Sequence, residues 1–181
     1  MARVSILSIE KTAPELREMF QKMLDNGGRV LNLYKTLAHS PRVARYFMRM
    51  GNAILYKGSV PPNLRELAIL RVGNICQATY EFTQHVPIAL RTGVKQEQID
   101  ALPDWEKSGK FSEQEKVVLR YTDEMTQNIR VKDDTFASIR SFFSEEGIVE
   151  LTATIGYYGM VSRILEALQV ELDPPPSQTK K

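Results

Sequence analysis

The chain has 181 residues, 43% hydrophobic and 25% charged, with 24 basic against 22 acidic side chains and a formal net charge of +2. That is one globular domain able to bury its own core without staples. No basic stripe interleaved with aromatics points to nucleic acid, no apolar run approaches the ~18 residues of a membrane span, and a single cysteine excludes an internal disulfide and a multi-cysteine zinc site.

In chain order, residues 2–10 alternate weakly, with Val4, Ile6 and Ile9 spaced as in a surface arm or an unpaired strand. The stretch lacks the apolar core of a signal segment, so a mature cytoplasmic protein is expected. Thr12-Ala-Pro-Glu15 has the pattern of a capping box. It predicts a helix bearing Leu16, Met19, Phe20 and Met23 that ends at Asn26-Gly27-Gly28. A second helix is predicted over 30–38, with Leu31, Tyr34 and Leu37 buried, and His39 closing it. Ser40-Pro41 opens a third to about Leu55, with Val43, Tyr46, Phe47, Met50 and Ile54 as its inner face.

Pro61-Pro62 restarts the chain after the break at Gly58. The helix over 63–75 is apolar around most of its circumference and so reads as central and buried. The next covers 79–91, with Pro87 predicting a kink just after His85, and closes at Gly93. A short helix over 96–102 stops at Pro103. Ser112-Glu-Gln-Glu115 is a second capping box, before a long helix with Val117, Val118, Tyr121, Met125 and Ile129. Asp133 or Asp134 caps a helix through Phe143. Gly147 precedes a last helix over 148–170, whose Gly156 and Gly159 suggest close helix–helix approach within the core or across a subunit interface. Overall the pattern is all-α, about eight helices, with an arm over 1–11, a helical domain over 12–172 and a disordered proline-rich tail over 173–181.

Chemistry-bearing residues gather between Pro61 and Val94. Glu81 and His85 are four apart and project from one helix face. Glu81 sits in a first turn, where the helix dipole favours an ionised carboxylate that would raise the His85 pKa and orient its ring. If the two central helices form an antiparallel hairpin through Cys76-Gln-Ala-Thr79, Glu66 faces both. Two carboxylates and an imidazole together make an acid–base site. The plainer readings are a surface ion pair, a first-turn acid at Glu66 and a small buried hydrophobe at Cys76. Tyr157 and Tyr158 read as core or pocket lining. Arg163 stands out as a charge on an apolar helix that needs a partner, with Glu66, Glu81 or Glu166 available.

Arg65-Glu66-Leu, Tyr80-Glu81-Phe82, His85, Ala89 and Gly93-Val94, followed by Tyr158-Gly-Met-Val-Ser-Arg163, resemble the carboxymuconolactone decarboxylase superfamily, which includes alkylhydroperoxidase D. The likeness covers about residues 12–172. In the family's peroxidase branch a glutamate, two cysteines and a histidine fall on Glu66, Ala78, Glu81 and His85. Both redox cysteines are thus replaced, and Cys76 lies two residues short of the first. A dithiol cycle needs two sulfurs within reach, so a cysteine-free branch is implied. The resemblance implies an alkylhydroperoxidase D-like helical bundle, a homotrimer or homohexamer, and acid–base chemistry on a small organic acid or lactone. The expected catalytic residues are Glu66, Glu81 and His85, with Tyr80, Tyr158 and Arg163 binding substrate and no cofactor. Alternatives are one-cysteine peroxidase chemistry at Cys76, a metal held by Glu66, Glu81 and His85, and a non-catalytic oligomeric binding protein.

Overall fold

The computed structural model describes residues 2–174. Among them are nine α-helices and no strand: α1 Pro14–Asp25, α2 Asn32–Leu37, α3 Pro41–Lys57, α4 Pro62–Ile75, α5 Thr79–Arg91, α6 Gln96–Ala101, α7 Glu113–Asn128, α8 Asp133–Arg140 and α9 Glu145–Leu168. Two 3-10 turns, Ile9–Lys11 and Leu102–Lys107, complete the set. The all-α expectation holds. No helix among the described residues is long and apolar enough to cross a membrane.

The chain divides into two compact units, Met1–Arg49 with Ala167–Lys181, and Met50–Glu166. In the first, the chain ends are tied together. Arg3 donates its backbone N–H to Leu168 O at 2.9 Å and its guanidinium to Ala167 O. Asn32 N–H donates to Asp173 at 2.9 Å. The expected tail is therefore anchored at Asp173, and from residue 175 on it lies outside the described residues. His39 closes no helix; its Nε2 donates to Ser5 O at 2.9 Å and pins the arm. Thr12 caps nothing either, because its hydroxyl turns back to Ile9 O and the N-cap of α1 is Ala13. In α2 the buried leucines are Leu33 and Leu37, while Leu31 and Tyr34 are half-exposed.

The second unit is built around α4, which packs mainly on α5 and α7. Every residue from Leu64 to Gly73 is buried, as the all-round apolar pattern predicts. Glu150 of α9 fixes the entry to α4. Its carboxylate accepts from the backbone N–H of Ser59 and Val60 and from the Ser59 hydroxyl, which holds its pKa below the ordinary carboxylate value. On the other flank Arg71 binds Asp123 of α7 through Nη2 at 2.9 Å, and Trp105 Nε1 donates to the same oxygen.

The hairpin turn after α4 is a Schellman motif: Ala78 N–H reaches Gly73 O and Gln77 N–H reaches Asn74 O. Gln77 takes the left-handed position, φ +53°, without a glycine to announce it.

Ser112 and Glu115 form the capping box that their spacing predicts. At the far end of α7 Ile129 adopts φ +67° and is exposed, outside the expected inner face. Lys132, not an aspartate, is the N-cap of α8. α6 stops short of Pro103 as expected, and the proline lies at the start of the 3-10 turn Leu102–Lys107, while α5 runs through Pro87 to Arg91. α9 begins at Glu145, so Gly147 lies in its first turn, where its N–H donates to the Ser144 hydroxyl. Neither Gly156 nor Gly159 of α9 seats another helix among the described residues. A Cβ at Gly156 would meet nothing within 4 Å, and one at Gly159 would meet only the Arg163 guanidinium.

Candidate active site

The expected α4–α5 hairpin forms and brings two of its ionisable groups into contact. Glu66 lies in the second turn of α4, among leucines, and is 0% exposed. His85 projects from the middle of α5 and is 8% exposed. Nδ1 of His85 donates to Oε2 of Glu66 at 2.8 Å. A histidine whose Nδ1 proton is committed in this way presents Nε2 as its acceptor when the ring is neutral.

The same carboxylate has a second partner that the sequence reading passes over. Arg65, 7% exposed, folds Nε and Nη2 onto Oε1 of Glu66, both at 3.2 Å. The available signal is an arginine inside a helix expected to be buried on every side, since such a cation must find an anion.

Glu81 does not join this pair. It is 2% exposed and its Oε2 accepts from the Ser162 hydroxyl of α9 at 2.9 Å. Its Oε1 is buried without a hydrogen-bond partner, over Gly73 of α4, where an added Cβ would lie 3.4 Å away. Burial pushes its pKa up to about 8, against a smaller opposing effect of Ser162. The expectation of an ionised Glu81 that orients His85 is corrected: loss of hydration outweighs the favourable helix end. Ser162, fully buried, is the second residue missed, and a lone serine in an apolar helix carries no sequence signal.

α9 completes the site in two rungs of an antiparallel pairing with α5. Glu81 meets Ser162, and one turn along His85 meets Tyr158, ring edge to face at 4.8 Å and 87°. Tyr157 packs edge-on to Tyr158 at 5.3 Å and sets its hydroxyl against Gly51 of α3, where an added Cβ would stand 2.7 Å from that oxygen. Tyr80 is buried at the start of α5, one residue before Glu81 and so about 100° around the helix from it. Arg163 needs no buried partner because it is exposed, and it donates to Gly159 O at 2.7 Å on its own helix.

Cys76 is the half-exposed C-cap of α4. Burial pushes its thiol pKa up, and a hydrogen bond with Ser162 acts the other way. Such a thiol is protonated at neutral pH and a poor nucleophile as it stands. No three His, Cys, Asp or Glu side chains among the described residues are grouped to hold a metal ion, since Glu81 turns away from Glu66 and His85. A polar cleft of about 390 Å³ lies instead beside Arg71, Arg120, Asp123 and Lys132 and includes none of the site residues.

Residues 41–124 match the model of the carboxymuconolactone decarboxylase family. Uncharacterized protein YnjA of Escherichia coli K12 is 26% identical over 117 residues, and the match spans 63% of each chain. Among solved structures, an uncharacterized peroxidase-related protein of Ralstonia eutropha JMP134 with an alkylhydroperoxidase AhpD core superposes with a TM-score of 0.84 at 19% identity, covering 95% of this chain and 92% of that one. A cysteine-to-alanine variant of the debrominase Bmp8 in complex with 2,3,4-tribromopyrrole gives 0.79 at 23% identity, covering 94% and 91%. The family model thus matches the helices that carry Glu66 and His85, and the chain shares the alkylhydroperoxidase D-like helical fold over nearly its whole length.

Proposed function

We propose that the protein is an acid–base enzyme acting on a small organic acid or lactone by decarboxylation, isomerisation or hydrolysis. The observation that carries this reading is the buried Glu66–His85 contact at 2.8 Å, which commits Nδ1 and frees Nε2. His85 accepts the substrate proton and Glu66 orients its ring. Glu81, neutral at pH 7, is the second carboxyl of the proposal, one helical turn from His85 with its carboxyl turned to Ser162. Tyr158 fixes one edge of the imidazole, with Tyr80 and the exposed Arg163 as further substrate contacts. The test is a screen of lactones, β-keto acids and hydroperoxides against wild type, His85→Ala and Glu81→Gln. Loss of turnover in both folded variants is expected, and full activity in both rejects the reading.

Peroxide reduction at Cys76 is the second reading. The half-exposed thiol with its Ser162 partner favours it, as does the peroxidase-related Ralstonia protein. The thiolate would attack the hydroperoxide, releasing the alcohol and leaving a sulfenate that two external thiols reduce. Undiminished peroxide loss in Cys76→Ser rejects it.

A homotrimer or homohexamer is the proposed assembly. The solvent face of α9, with Val149 67% and Met160 43% exposed on either side of Gly156, supports it. Sedimentation reporting a monomer would exclude it.

A further inference from the structure

Side chains of adjacent helical residues diverge by about 100°, so neighbours seldom meet. Arg65 and Glu66 are an exception. The guanidinium curls over so that two of its nitrogens reach one oxygen, and both residues are withdrawn from water. Oε1 is thereby occupied, and Oε2 is the oxygen left for His85. A buried arginine is costly unless its charge is answered, and among the described residues the ion pair that answers it is Glu66.

The groups that face His85 come from three helices. α4 contributes Glu66 and, behind it, Arg65. α9 contributes Tyr158. α5 contributes Glu81, one turn back, with its carboxyl turned to Ser162. Arg65 is the cation in direct contact with the carboxylate that His85 uses.

We propose that Arg65 is a positioning residue for His85, locking Glu66 so that Oε2 meets Nδ1 and offsetting the carboxylate charge so that Nε2 stays free to accept a proton. This rests on the reading of His85 as the base, but its test needs no substrate. A bare carboxylate beside an imidazole draws a second proton onto the ring. A carboxylate already paired with a guanidinium draws that proton less. Arg65 acts through Glu66 and does not touch the reacting atoms.

The experiment is ring ¹⁵N NMR of the full chain across pH. The chain has two histidines, and His39→Gln identifies the His85 signals. In wild type the neutral His85 ring is expected to carry its proton on Nδ1. In Arg65→Gln, which keeps a donor to Oε1 and removes the charge, the protonation midpoint of His85 moves up by about one pH unit. In Arg65→Lys, which keeps the charge, the midpoint stays in place. A folded Arg65→Gln with an unmoved midpoint overturns the proposal, as does a wild-type ring protonated on Nε2. Should Arg65→Gln fail to fold, the wild-type tautomer and Arg65→Lys carry the test, and an upward move of about one unit in the lysine variant overturns it. Failure of His85→Ala to lose turnover would reject the base assignment alone and leave these readouts intact.

Discussion

Glu66 on α4 and Glu81 on α5 are equally hidden from solvent, at 0% and 2% exposure, yet their surroundings differ completely. Glu66 receives two guanidinium N–H groups and an imidazole N–H, so both of its oxygens are answered and one partner is a full cation. Glu81 receives one neutral hydroxyl, its other oxygen has no partner, and its pKa rises to about 8. Burial by itself does not set the charge of a carboxyl. The number and charge of its donors decide whether lost hydration is replaced. Two side chains of one type, on the two arms of a single hairpin, thereby meet opposite surroundings, one answered by a cation and the other by a single neutral hydroxyl.

The comparison is broken most severely by pH. The folded-state pKa of Glu81 lies above the ordinary carboxylate value of 4.5, so its contribution to stability is full below 4.5 and is lost as pH rises through about 8. The whole span is worth roughly 5 kcal/mol. Urea denaturation of wild type should show stability falling across that window, and Glu81→Gln should flatten the fall and leave the variant more stable than wild type at pH ~9. A wild-type curve with no such fall would mean that Glu81 ionises at no cost.

Next comes the other glutamate. Glu66→Gln leaves the buried Arg65 charge unanswered and should cost about 3–5 kcal/mol at neutral pH. The two Glu→Gln substitutions therefore have opposite signs in mildly alkaline solution, a contrast that one pair of denaturation curves decides. The smallest effect is expected at Ser162. Ser162→Ala removes the one donor to Glu81 and should cost about 1 kcal/mol, while moving the Glu81 titration to still higher pH. Carboxyl ¹³C shifts would show the movement, and a downward shift would contradict the geometry.

The hairpin and its Glu66–His85 contact are legible in the sequence because they are local. One helix apolar on every side, a short turn and a histidine on the next helix leave little freedom. The destination of Glu81 is not legible, since Ser162 lies on a distant helix and serine in an apolar run gives no cue. The rule that a cation on an apolar helix needs an anion is sound, but it misleads at Arg163, which is exposed and satisfied by Gly159 O. Arg65, inside the most buried helix, is the residue it fits. Periodicity on α3 likewise reveals a stripe without revealing which way it faces. Val43, Tyr46 and Met50 are 51%, 54% and 42% exposed, while Ala44, Phe47, Met48 and Ile54 are buried. An amphipathic pattern fixes spacing, and only the packed neighbours choose the side.

The bare backbone at Gly51 gives the site a steric lever. Gly51 makes room for the hydroxyl of Tyr157, whose ring braces Tyr158, whose ring edges His85. Those links are contacts between rigid rings, which pass on a push without absorbing it. A methyl group at residue 51 would press first on the Tyr157 ring, two ring contacts away from the imidazole. Substitutions at this one glycine therefore act on the aromatic rings beside His85 through shape alone.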